Sequence, residues 1–282
     1  MAWILLVLLY GLLKGGRELV KKKALAISTV MEVLVAYTAL SMLMVLPSAP
    51  QAGGLSPEQY LWVAVKAGFV FTAWMCSFRA IRKMPVSLYG ILDLSRVIFS
   101  TLLGAFVLHE TLRFGQMAGL ALVCIGLFML KQRKAAPGQQ ESVPAKYVIM
   151  ALASCLFNGM SGTLDKVLMR DMTSAQLQFW YTLFMLAMYL VYSLVTRTEI
   201  RWRNVLKNGW IWLLALMFVI GDRALFIANG MPESRVTVMT LIKQSGCLVT
   251  IIGGKLVFGE KNIRYKLLCA AVVVAGIVVA VI

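Results

Sequence analysis

Apolar residues fill this chain in long runs broken by short polar links. A hydrocarbon layer about 30 Å thick takes about 20 helical residues to cross. Backbone polar groups there must be satisfied within the segment, so such runs read as helices. The pattern predicts an all-α polytopic protein with ten transmembrane helices. Helices 1 to 5 are expected at residues 2–20, 28–46, 60–80, 86–108 and 114–130. Helices 6 to 10 are expected at 147–168, 175–195, 210–229, 236–258 and 265–282. The 7 prolines all fall at run boundaries or in links, where a missing N–H costs least.

The longest link, residues 131–146, separates a first five-helix unit (1–130) from a second (147–282), and the two overlay. Met84-Pro85 before helix 4 matches Met231-Pro232 before helix 9 at an offset of 147, which also puts Gly15 on Gly162 and Glu18 on Asp165. Beyond Pro232 the offset is 150, pairing Ser95 with Ser245, Glu110 with Glu260, Ala121 with Ala271 and Gly126 with Gly276. Five helices per unit is odd, so the second unit enters from the opposite side. That is an inverted repeat, a ground plan of secondary transporters.

Composition supports the membrane reading: 60% of residues are apolar and 14% charged, against roughly 25% charged in a soluble domain. The net charge of +16 does not point to nucleic acid, because the basic residues sit in short clusters between apolar runs. Odd-numbered links hold 15 Lys and Arg; even-numbered links hold only Arg113, Arg170 and Arg235. The positive-inside rule then predicts cytoplasmic odd links and both termini outside, in a cell membrane. The N-terminal run lacks the basic start and small-residue cleavage site of a signal peptide. All 5 cysteines fall inside spans and read as packing residues. His109 is the only histidine, so no His-based metal site or Ser-His triad is expected. Gly253-Gly254-Lys255 lacks the P-loop's first glycine and Ser/Thr, so no nucleotide cofactor is expected either.

Charges within a span are costly and normally face protein or water. The candidate substrate-binding residues are therefore Lys66, Asp93, Arg96, Asp222, Arg223, Lys243 and Gln244. Small and polar residues extend these charges along helix 4 (Asp93, Arg96, Ser100, Gly104) and helix 9 (Lys243, Cys247, Thr250, Gly254). The stripes Gly11-Gly15-Glu18 in helix 1 and Asn158-Gly162-Asp165 in helix 6 read as packing first and pathway second. Lys14 and Arg17 read as snorkelling side chains, and Trp74 as a core residue. Four mid-span cations against two carboxylates favour an anionic or zwitterionic small molecule.

The chain resembles the drug/metabolite transporter superfamily, specifically its ten-helix EamA-type members. The resemblance rests on the 5+5 repeat, the Pro-initiated helices 4 and 9, and the closing Glu110 and Glu260. It implies a central cavity lined by helices 1, 3, 4, 6, 8 and 9, worked by alternating access. The polar residues are spread over several helices and not clustered in one loop, so no enzymatic activity is expected. Members of the family usually have cytoplasmic termini, opposite to the charge count here. Small multidrug relatives carry a carboxylate three residues before Gly-x-x-Leu-x-Lys in helix 1. Gly16, Leu19 and Lys21 fit that stretch, but the carboxylate position is Leu13, so the cation-antiport site is not carried over. The other readings are a lipid-linked sugar flippase, or a non-transporting lipid-modifying enzyme or scaffold. The expected partners are a small-molecule substrate and the lipid bilayer; the sequence is silent on oligomeric state.

Overall fold

The computed structural model describes residues 2–99, 114–132, 143–231, 239 and 242–281. Helix stands at each of the ten expected places. In the first half these are α1 (Ala2–Ile27), α2 (Val30–Val45), α3 (Pro57–Lys83), α4 (Val86–Asp93) and α5 (Phe114–Gln132). In the second they are α6 (Ala145–Asp171), α7 (Ser174–Val195), α8 (Gly209–Asn229), α9 (Ser245–Phe258) and α10 (Ile263–Val281). Two short helices, Leu46–Gln51 after α2 and Trp202–Lys207 before α8, were not expected. Among the described residues five helices are long and apolar enough to cross a membrane unaided: α2 with its 3-10 extension, α3, α6, α7 and α8. Glu110, His109, Ser100, Gly104, Pro232 and most of the 131–146 link lie outside the described residues.

Local chemistry sets the helix starts. Thr29, Ser56 and Thr173 each cap a helix, accepting from the N–H three residues on, while Glu32, Gln59 and Gln176 reach back to the cap N–H. These capping boxes satisfy donors that a helix start otherwise leaves open. Glu32 is fully buried and also receives Arg201 at 2.9 Å, tying α2 to the second half. The main boundary error is in α1, which runs to Ile27 instead of residue 20. Lys21–Lys23 looked like a cytoplasmic link. Lysine is a good helix former, and Lys21 Nζ is held 2.6 Å from Glu18 one turn back.

Helices 4 and 9 are interrupted at matching places. Turns replace helix at Leu94-Ser95 and at Gln244, which the 150-residue offset superposes. The Leu94, Ser95 and Val97 N–H groups bond three residues back, to Ile91, Leu92 and Leu94 carbonyls, and Cys247 N–H bonds Gln244 carbonyl likewise. Broken helices near mid-depth are tolerated where the freed backbone faces protein or a cavity.

Repeat-equivalent helices pack on one another: α2 on α7, α4 on α9, α5 on α10. The cross-packing is paired too, with α3 on α6 mirrored by α8 on α1, and α3 on α7 by α8 on α2. A Cβ on Gly126 would meet the Cys269 carbonyl at 3.1 Å, and one on Gly276 the Gly119 carbonyl at 2.7 Å, so α5 and α10 run antiparallel. Gly90 faces Thr250 and Gly254 faces Ser87, so α4 and α9 are antiparallel as well. The two halves therefore run in opposite senses where they meet.

Glu260 closes one end of the bundle. Its carboxylate accepts from Val86 N–H (2.6 Å), Ser87 N–H (3.2 Å) and the Ser87 hydroxyl at the start of α4. Lys266 lies 3.2 Å away and Lys22 4.0 Å. Burial pushes the Glu260 carboxyl up, but the Ser87 hydroxyl, Lys266 and the Val86 N–H outweigh it and hold it below the usual range. A carboxylate at a helix N-terminus is also favoured by the helix dipole.

Candidate functional site

A cavity of about 560 Å³ opens at the centre of the bundle. Its walls come from α1, α3, α4, α6, α8 and the segment before α9, with Tyr37 of α2 and Tyr181 of α7. Helix α1 supplies one face: Tyr10, Lys14, Arg17 and Lys21 follow at spacings of three or four residues, which stacks them. Because α1 continues to Ile27, Lys14 sits about 18 Å from its start, near mid-depth.

The cavity charges are arranged in pairs. Arg17 meets Asp222 at 3.1 Å, across the two halves. Lys66 meets Asp165 at 3.0 Å, also across the halves, donates to the Ser161 hydroxyl at 3.1 Å, and lies 4.0 Å above the Tyr181 ring. Lys21 meets Glu18 and donates to the Ser77 hydroxyl at 3.1 Å. Each of these is one cation to one carboxylate. Asp93 breaks the rule: Lys14 lies 2.6 Å from one of its oxygens and Arg96 2.8 Å from the other. Two cations share one buried carboxylate, and the Arg96 Nε is buried without a hydrogen-bond partner. Among the described residues seven cations and three carboxylates line the cavity, counting Lys243 and the exposed Arg170. Even with Asp93 behind them, positive charge is in surplus. An uncompensated buried charge is expensive, so the second cation on Asp93 calls for an anion or for water.

Of the seven candidate residues, Lys66, Arg96, Asp222, Lys243 and Gln244 line the cavity. Asp93 lies just behind, beside a small void that it shares with Lys14, Glu18, Gln244 and Thr250. Arg223 is not among the lining residues; it donates to Gln178 at 3.3 Å and Ser48 at 3.5 Å, bracing the 3-10 turn after α2 against α8. The stripe beyond Gln244 packs: Thr250 fills the notch at Gly90, and Gly254 touches Glu260 and Ser87. The helix 6 stripe does the reverse, with Asn158, Gly162 and Asp165 all facing the cavity. Lys14 and Arg17 do not snorkel. They point inward, and a longer helix 1 would have shown it. Trp74 stands in the cavity wall, 5.0 Å from Tyr37 and 5.3 Å from Phe218 between ring centres.

The sequence matches the EamA-like transporter family over residues 1–131 and again over 145–282. The chain belongs to that family. The two matches fall on the two five-helix halves, as the internal overlay requires. No curated protein matches the sequence. A solved structure, described only as a crystal structure of a protein, superposes with TM-score 0.67 at 16% identity. It covers 99% of this chain and 96% of its own, and at that identity it speaks for the fold alone. This EamA-family chain is thus a multi-pass membrane transporter of the drug/metabolite superfamily. Its cavity walls are the helices that the resemblance implied, plus one residue each from α2 and α7.

Proposed function

We propose that the chain carries a small organic anion or zwitterion across the membrane by alternating access. The observation that carries this reading is the surplus of cations around the central cavity, localised at Asp93, where Lys14 and Arg96 share one carboxylate. Arg96 presents a planar fork suited to a carboxylate or phosphate. A substrate anion would take Arg96 as its partner and leave Lys14 on Asp93. Lys243 and Gln244, at the matching break before α9, stand in the same wall.

The test is thermal stability of the purified protein with a panel of carboxylates, amino acids, phosphate esters and quaternary ammonium compounds. Ligands that bind the native state raise apparent stability. Stabilisation by anionic or zwitterionic compounds is expected, with the response lost in Arg96→Gln. A response confined to quaternary ammonium compounds would sink the proposal.

We further propose, from the charge bias, that the odd links are cytoplasmic and both termini lie outside. Lys21 and Lys22 prove to be internal, bonded to Glu18 and to the Met84 carbonyl, yet removing them leaves the bias in the same direction. Cysteines placed at Gln51 and Gln139 of a cysteine-free variant report on this. In intact cells an impermeant thiol reagent is expected to label the first and spare the second; the opposite pattern reverses the topology.

A further inference from the structure

Repeat-equivalent positions usually share an environment, and one pair here does not. Gly15 of α1 lies against the α9 backbone: a Cβ there would meet the Val249 Cβ at 2.7 Å and the Gly246 Cα at 2.9 Å, with the Gly246 carbonyl nearer still. Its mate under the 147-residue offset is Gly162 of α6, where a Cβ would meet nothing within 4 Å. Gly162 is exposed and lines the cavity. The α9 partner has a mate too: Gly246 corresponds to Arg96, which faces the same open space. One α1–α9 seam is thus shut, while its counterpart between α6 and α4 stands open.

We infer that Gly162 is the closing contact of the opposite-facing state, in which α6 shuts onto α4 at Arg96 while α1 parts from α9. The inference rests on the transport reading and deepens it by naming the moving seam. Two halves built on one plan and running in opposite senses can each adopt the other's arrangement, which exchanges the open and shut sides. Packed seams have discrete arrangements and do not deform continuously. A residue with no Cβ at position 162 is not required by the state shown, since the space is empty. It is required by a state in which a helix backbone must come as near as α9 comes to Gly15. Closure onto Arg96 would also bury the surplus cation, which an anion on Arg96 would offset. That ties the movement to loading.

The shut seam extends from Gly15 through Leu19, which fills the notch at Gly253, to Glu260 at the start of α4. Met84, 2% exposed with its carbonyl bonded to Lys22, sits at that end. Met84→Cys in a cysteine-free variant is therefore a reporter of opening that needs no substrate. Gly162→Leu is expected to leave the melting temperature unchanged or raise it through helix propensity, and to slow labelling of that reporter by a small maleimide by about tenfold or more, by overpacking only the opposite state. Gly162→Ala should slow it less. Unchanged labelling with Gly162→Leu would overturn the inference, and so would a fall in melting temperature, which would show the site already packed. Neither readout depends on which ligand binds, so the anion proposal stands or falls separately.

Discussion

Asp93→Asn is expected to destabilise the protein by about 3–5 kcal/mol, the cost of removing one partner from a buried ion cluster. The loss should exceed that at Glu18, Asp165 or Asp222, because each of those meets one cation and Asp93 meets two. Adding Lys14→Met in the same chain should return much of the loss, since Arg96 can turn its charge to the cavity while Lys14 is removed. Melting temperatures of the wild type, both single variants and the double variant in lipid discs form the cycle that measures this coupling. If the double variant is as unstable as the sum of the singles, Lys14 and Asp93 are not coupled and the charge count at this site is wrong.

Gly15→Ala and Gly16→Ala, one residue apart, should differ sharply. Both gain about 1 kcal/mol of helix propensity. At Gly16 the new methyl meets the Met217 Cε at 2.6 Å, the free end of a flexible side chain that can swing aside. Gly16→Ala should therefore be neutral or stabilising. At Gly15 the methyl meets backbone of Gly246, and a Cβ on Gly246 would in turn lie 2.6 Å from the Gly11 carbonyl. Only separation of α1 and α9 relieves this. Gly15→Ala should cost about 3 kcal/mol, the upper end for overpacking. Equal melting temperatures for the two variants would show that α1 and α9 do not pack this closely.

Much of this architecture could be read from apolar run lengths, since a lipid-facing backbone has few alternatives to helix. The overlay of the two halves was visible because proline and glycine mark helix starts and close contacts, which backbone geometry restricts. Positions of side chains around the helix axis were harder. The stripe at Cys247, Thr250 and Gly254 looked like a pathway and proved to be a packing face, because small polar residues serve both purposes equally well. Lys14 and Arg17 were misread because Lys21–Lys23 resembled a loop cluster. Their place in the cavity depends on Asp93 and Asp222, both of which lie far along the chain. The interruptions at Leu94-Ser95 and Gln244 carry no proline or glycine at the break and left no local mark.

The pairing of charges between halves bears on how the protein is made. Arg17 waits for Asp222, Lys66 for Asp165, and Glu32 for Arg201. During synthesis the first five helices leave the ribosome well before any of these partners. The partners of Lys66 described above, Asp165, Ser161 and Tyr181, all belong to the second half, so helix 3 must enter the bilayer with its ammonium still waiting for them, or remain beside water at the insertion machinery. The second half then does more than complete a cavity: it neutralises the first. A chain cut at the central link would yield a first fragment that inserts poorly by itself and improves when the second is produced with it.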